Sequence, residues 1–215
     1  MELVAEGPER TTAATDAVLA LAALVGIALL RRRAPPSFGR AVWQAALAAL
    51  CLASVLGAVT HGVALPQPTR ELLWQPLYLA LGVTMALFVV GAVRDWRGDR
   101  AARRVLGPML AVAVVFYGIT RLTGGDFLAF VVYEAAALVF SLLVYLRLAS
   151  RERRPGATAM TAALAVSLAA GAVQASDLDT VRLLWEFDHN GLFHLVQLLG
   201  LALMVAGLRR LLAES

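Results

Sequence analysis

Seven long apolar stretches take up almost the whole of this 215-residue chain. They run over Asp16–Leu30, Val42–Leu65, Leu72–Val93, Val105–Leu122, Phe127–Leu148, Thr158–Ser176 and Leu184–Leu208, the first being short enough to begin a few residues earlier. A helix of about 20 apolar residues crosses a bilayer core. Backbone groups in hydrocarbon must be satisfied internally, by helices or by closed barrels. Barrel strands alternate over about ten residues, whereas these stretches are continuously apolar, so they read as helices. Charged residues make up 16% of the chain, against about 25% in a soluble domain. The loops are too short for a soluble domain. Residues 1–215 therefore read as a single all-α integral membrane domain, a bundle of seven transmembrane helices, preceded by a short extracytoplasmic segment of about residues 1–14.

The basic residues orient it. All 19 are arginine. Arg31, Arg32, Arg33 and Arg40 flank the first loop. Arg94, Arg97, Arg100, Arg103 and Arg104 flank the third, and Arg147, Arg151, Arg153 and Arg154 the fifth. Arg209 and Arg210 follow the last helix. Only Arg10, Arg70, Arg121 and Arg182 fall on the other side. The positive-inside rule puts the arginine-rich side in the cytoplasm, with the N-terminus outside and the C-terminus inside. The net charge of +4 is then a topology signal facing anionic headgroups. It is not a nucleic-acid surface, which would pair basic with aromatic residues. The early acids Glu2, Glu6 and Glu9 do not suit a cleaved signal peptide. The Ala-, Arg- and Leu-rich, lysine-free composition points to a bacterial inner membrane. Cys51, alone in the second helix, reads as a small packing residue.

Polar residues inside a bilayer are costly and mark function. In this chain they gather toward the outer face. His61 lies near the outer end of the second helix, with Ser54 two turns deeper. Glu71 opens the third helix, and Tyr117 and Arg121 close the fourth. Glu134 lies eight residues after Asp126, roughly 12 Å deep, and pairs on this reading with Arg121 or faces the bundle. Gln174, Ser176 and Asp177 end the sixth helix. The cytoplasmic halves hold few strongly polar residues, Gln44 being the main exception.

The richest segment runs from Glu186 to Gln197. On a helix, Glu186, Asn190, His194 and Gln197 fall within about 80° of one another, a single stripe expected to face the interior. His189 stands about 140° from His194 and turns inward only if the helix starts near Asn190 or its backbone is irregular. The three histidines, His61, His189 and His194, all map to the same end. A catalytic zinc takes three protein ligands and a water. His61, His194 and either His189 or a carboxylate are the candidate ligands, with Glu71, Asp188 and Glu186 available to activate water or orient a histidine. The bland alternative is helix-end polarity and capping.

A histidine late in helix 2 (His61), an acid at the start of helix 3 (Glu71) and a histidine pair early in helix 7 resemble the CREST superfamily, which includes alkaline ceramidases and the adiponectin/progestin receptors. The resemblance implies a zinc held by three histidines with a serine and an aspartate nearby, and hydrolysis of a ceramide-like amide. It departs from the family in three places. Asn190, not histidine, stands four before His194; Gly57 stands where the family has serine; and Glu71 replaces aspartate. The functional expectation is a zinc-dependent hydrolase of a lipid amide or ester, with Glu71 or Asp188 as base. The competing expectation is a non-catalytic or transport bundle whose polar cluster binds an ion or small molecule. Retinal is excluded, since its Schiff base needs a lysine. Haem would need His61 and His194 as an axial pair.

Overall fold

The computed structural model describes residues 2–33, 36–125, 128–176 and 178–213. Its helices are α1 (Gly7–Arg33), α2 (Phe38–Gly62), α3 (Gln67–Arg97), α4 (Asp99–Leu122), α5 (Leu128–Ser150), α6 (Ala157–Gln174) and α7 (His189–Leu211). Strands β1 (Val181–Arg182) and β2 (Glu186–Phe187) form a small hairpin ahead of α7. All seven helices are long and apolar enough to cross a membrane. Their outward faces carry Leu21, Leu24 and Val25 on α1, Val114, Val115 and Ile119 on α4, and Val139 and Leu143 on α5. A soluble protein does not expose so large an apolar girdle; in a bilayer it is the lipid contact.

Local chemistry sets the helix ends. Ser37 caps α2 by accepting from the Arg40 amide at 3.2 Å. Gly98, at φ 82°, ends α3 and opens α4. Gly124 and Gly125, at φ 69° and 87°, make the turn after α4, as the glycine pair predicts. Asp126 and Asp177, which belong to the outer polar set, and Phe127, the expected start of helix 5, lie outside the described residues.

Two helix boundaries differ from the sequence expectation, and both differences bear on function. First, α1 starts at Gly7, so Asp16 is not its beginning but sits more than two turns inside. The expected free segment before it is mostly helix. Residues 2–4 pair with the end of α2 through Val4 N to Gly62 O and Ala64 N to Glu2 O, at 3.1 and 3.0 Å. Second, α7 starts at His189 and not at Leu184. The Asp188 carboxylate caps it, accepting from the Gly191 amide at 2.7 Å. Glu186 therefore leaves the helical stripe and lies exposed in β2.

The helices are arranged as a ring. α1 packs on α2, α2 on α3, α3 on α5, α5 on α6, α6 on α7, and α7 back on α1. α4 stands outside the ring against α3. Without a hydrophobic drive in lipid, helices associate by close packing at small residues. Gly200 lies against Ser167 and the Ala163 carbonyl of α6, and Gly207 against Gly156 and Met160, so α6 and α7 approach closely. Trp43, fully buried, packs edge-on to Phe88 at 5.4 Å across α2 and α3.

The arginine-rich end holds a buried acid besides Gln44, the exception expected there. Asp95 is buried there. Its carboxylate accepts from the Tyr145 hydroxyl and, at 3.1 Å, from Arg94 Nη1. Arg94 Nε also donates to Asp99 at 3.0 Å, and Arg154 donates to the Asp95 carbonyl. The sequence hides this network because Asp95 sits in a run of charges that reads as a loop. The physical reason it is buried is that α3 continues through Arg97.

Candidate functional site: a cavity inside the helix ring

The ring encloses a cavity of about 390 Å³ at the end opposite the arginine clusters. All six ring helices line it and α4 does not. Its floor is mostly apolar, with Leu81, Met85, Phe88 and Leu138 beside the Thr84 hydroxyl. Its upper wall is polar, and that wall has two sides.

On the first side, α1 supplies carboxylates to histidines on α2 and α7. His61 Nδ1 lies 2.7 Å from Glu9 Oε2, leaving Nε2 for another partner. His194 Nε2 lies 3.5 Å from Asp16 Oδ1, and its Nδ1 lies 3.1 Å from the Thr15 hydroxyl. Both His194 and Asp16 are buried. Asp16 fits because α2 has no side chain opposite it: a Cβ at Gly57 would overlap its carboxylate. Thr15 Oγ1 also lies 2.9 Å from the carbonyls of Thr11 and Thr12. It has only one hydrogen to give. If that hydrogen goes to the helix, His194 Nδ1–H donates to Thr15, and Nε2 of a neutral ring meets Asp16 as acceptor against acceptor. A proton or another cation then belongs between them.

On the second side stand Glu134 from α5, Ser167 and Gln174 from α6, and Asn190 and Gln197 from α7. Glu134 is 6% exposed. A Cβ at Gly171 would be 3.6 Å from its Oε2, so the carboxyl lies across the bare face of α6. Gln174 Nε2 reaches Asn190 Oδ1 at 3.4 Å. The Oε1 atoms of Gln174 and Gln197 are buried without a hydrogen-bond partner.

The cavity thus brings together Ser54, His61, Glu134, His189, Asn190, His194 and Gln197 of the residues expected from sequence. His189 reaches it because α7 begins there, the condition its inward turn required. The other candidates do not line the cavity. Glu71 is exposed on the first turn of α3, where Gln67 donates to it at 3.0 Å. Asp188 is occupied as the α7 cap and by the Thr12 hydroxyl at 2.8 Å. Glu186 lies over Gly7 at the start of α1. Tyr117 and Arg121 belong to α4, outside the ring, and Arg121 is exposed. The expected Arg121–Glu134 pair does not form: α5 turns Glu134 inward, away from α4. Sequence reading missed Glu9, Thr15 and Asp16. Their signal was present as a Glu9-x6-Asp16 spacing, two turns apart on one helical face.

The donors around His194 suit a metal in part. Zinc ligands at about 2.0–2.2 Å stand apart by roughly the separation of Asp16 Oδ1 and His194 Nε2. Among the described residues, however, no three His, Cys, Asp or Glu side chains converge on one point to hold a metal ion.

The fold defines a polytopic membrane protein with an internal cavity. The chain belongs to a family of unknown function (DUF6962), whose pattern spans residues 11–213. That span starts at the α1 turn bearing Thr11, Thr12, Thr15 and Asp16 and so takes in nearly the whole ring. No curated protein and no solved structure matches the chain.

Proposed function

We propose that this protein binds an amphipathic, lipid-like molecule inside the membrane, with its polar part at the histidine end of the cavity and its chain on the apolar floor. The observation that carries this reading is the cavity itself: about 390 Å³, within the usual range for small-molecule sites of about 300–1,000 Å³, apolar below and polar above. The charge bias supports a non-cytoplasmic position for this end. A brominated fatty acid added to protein in nanodiscs tests it through fluorescence quenching of Trp74, which lines the cavity. Ser54→Phe fills the cavity from α2 and is expected to abolish the quenching of Trp74. Undiminished quenching in Ser54→Phe protein refutes binding in this cavity.

A second reading, hydrolysis of an ester or amide in that molecule, is favoured by one observation: His61 on α2 and His194 on α7 each face a carboxylate on α1. Glu9 fixes the His61 ring and its tautomer, leaving Nε2 to take a proton from water. Asp16 stabilises positive charge on His194, which is then able to return a proton to the leaving group. The resemblance to zinc hydrolases offers a metal in place of these proton transfers: His61, His194 and Asp16 are the nearest donors, although no three such side chains converge on one point among the described residues. Zinc bound there would supply Lewis acidity to a carbonyl or a water. Glu71 and Asp188 take no part in it. Turnover of a fluorogenic long-chain ester or amide by purified protein, lost in His61→Ala, is the test.

A further inference from the structure

The second side of the cavity says what kind of polar group the ligand carries. We infer that Glu134 is the counter-ion for a protonated amine on that ligand, so that the cavity takes cationic amphiphiles. This deepens the binding reading above and rests on it.

Glu134 lines the cavity at 6% exposure, and no described residue gives it a hydrogen bond or an ion pair. Arg121, the cation nearest in sequence, is exposed on α4, outside the ring. Among the described residues, no arginine lines the cavity. The histidines do not supply the missing charge: His61 and His194 already face Glu9 and Asp16, and His189 at the rim makes no ion pair with Glu134. A buried carboxylate persists when it is paired and hydrogen-bonded.

The neighbouring polar atoms ask for the same thing. Oε1 of Gln174 and Oε1 of Gln197 are buried acceptors with no donor, and leaving such atoms unmet is costly. An ammonium group has three hydrogens and no acceptor. The carboxylate and both amide oxygens belong to residues of this one cavity, and each is an acceptor for such a group. Trp74, Tyr78, Phe130 and Phe193 line the same cavity, and aromatic faces favour a cation. An anionic headgroup would stand against the Glu134 carboxylate with no cationic side chain on this side to offset it.

Dodecylamine and dodecanol separate the inference from the reading beneath it, because they share a chain and differ in the head. Each is titrated by calorimetry into protein in nanodiscs, with empty nanodiscs subtracted. The wild type is expected to bind the amine roughly tenfold or more tightly than the alcohol. Glu134→Gln, which keeps the shape, is expected to remove the preference and bring the amine to the alcohol's affinity in the same variant. Gln197→Leu gives an independent reduction of the amine preference if Glu134→Gln does not fold. Equal affinity for the two in the wild type, or a preference that survives in folded Glu134→Gln, overturns the inference and leaves the binding reading standing. Binding of neither compound overturns both.

Discussion

The Asp16 carboxylate on the first helix stands 3.5 Å from Nε2 of His194 on the last. The two residues are separated by most of the chain, both are buried, and the contact closes the wall of the cavity. A buried pair of this kind is strongly coupled. Asp16→Ala and His194→Ala are each expected to lower stability, and the double variant to lose less than their sum. The coupling, read from chemical denaturation in detergent, is expected at about 0.5–3 kcal/mol. Strict additivity would mean that the two side chains do not interact.

Gly57 gives an independent handle on the same pair. A methyl group there overlaps the Asp16 carboxylate, so Gly57→Ala pushes Asp16 off His194. The expected result is a lower Tm and weaker quenching by the brominated fatty acid. The control is Gly118→Ala on α4, where a Cβ meets nothing within 4 Å and both readouts stay at wild type.

The resemblance to zinc hydrolases makes a separate prediction. On it, metal analysis of detergent-purified wild type finds one zinc per chain, with less in His61→Ala, Asp16→Ala and His194→Ala. Glu71→Ala is expected to keep the wild-type content, because Glu71 is exposed and lies outside the cavity. Zinc-free wild type with no esterase or amidase turnover leaves the binding reading alone.

At the other end of the bundle, Tyr145 donates to the buried Asp95. Tyr145→Phe removes one charge-assisted hydrogen bond, expected to cost about 1.5–3 kcal/mol. Asp95→Ala also removes one of the two carboxylates that hold Arg94 and is expected to cost more than Tyr145→Phe. Neither variant is expected to change ligand quenching at the cavity. A shift in quenching larger than the stability loss accounts for would show that the two ends are coupled.

Much of this was legible in the sequence because lipid restricts the choices. Continuous apolar runs have to be helices, and the seven are all present. The period of α7 placed Asn190, His194 and Gln197 on one face, and all three line the cavity. The acids were harder to read. Glu71 and Glu9 both precede apolar runs near the same end of the bundle, and nothing local distinguishes the exposed one from the one that reaches His61. Asp16 stands at the edge of the first apolar run, where hydropathy does not separate a helix end from a helix interior. Its burial depends on Gly57 and His194, far away in sequence. The exclusion of α4 from the ring, which separates Arg121 from Glu134, is likewise set by which helices touch, and hydropathy carries no such information.

The ring is closed by its first helix meeting its last, and chains are made from the N-terminus onward. Asp16, Glu9 and His61 are therefore in place while His194 and the rest of α7 are still to be synthesised. Until then the future pocket is a cleft open to lipid, with Asp16 lacking its partner. Arrival of the final helix both encloses the space and supplies that partner. A chain interrupted before His189 would keep six membrane anchors and have no chamber between them.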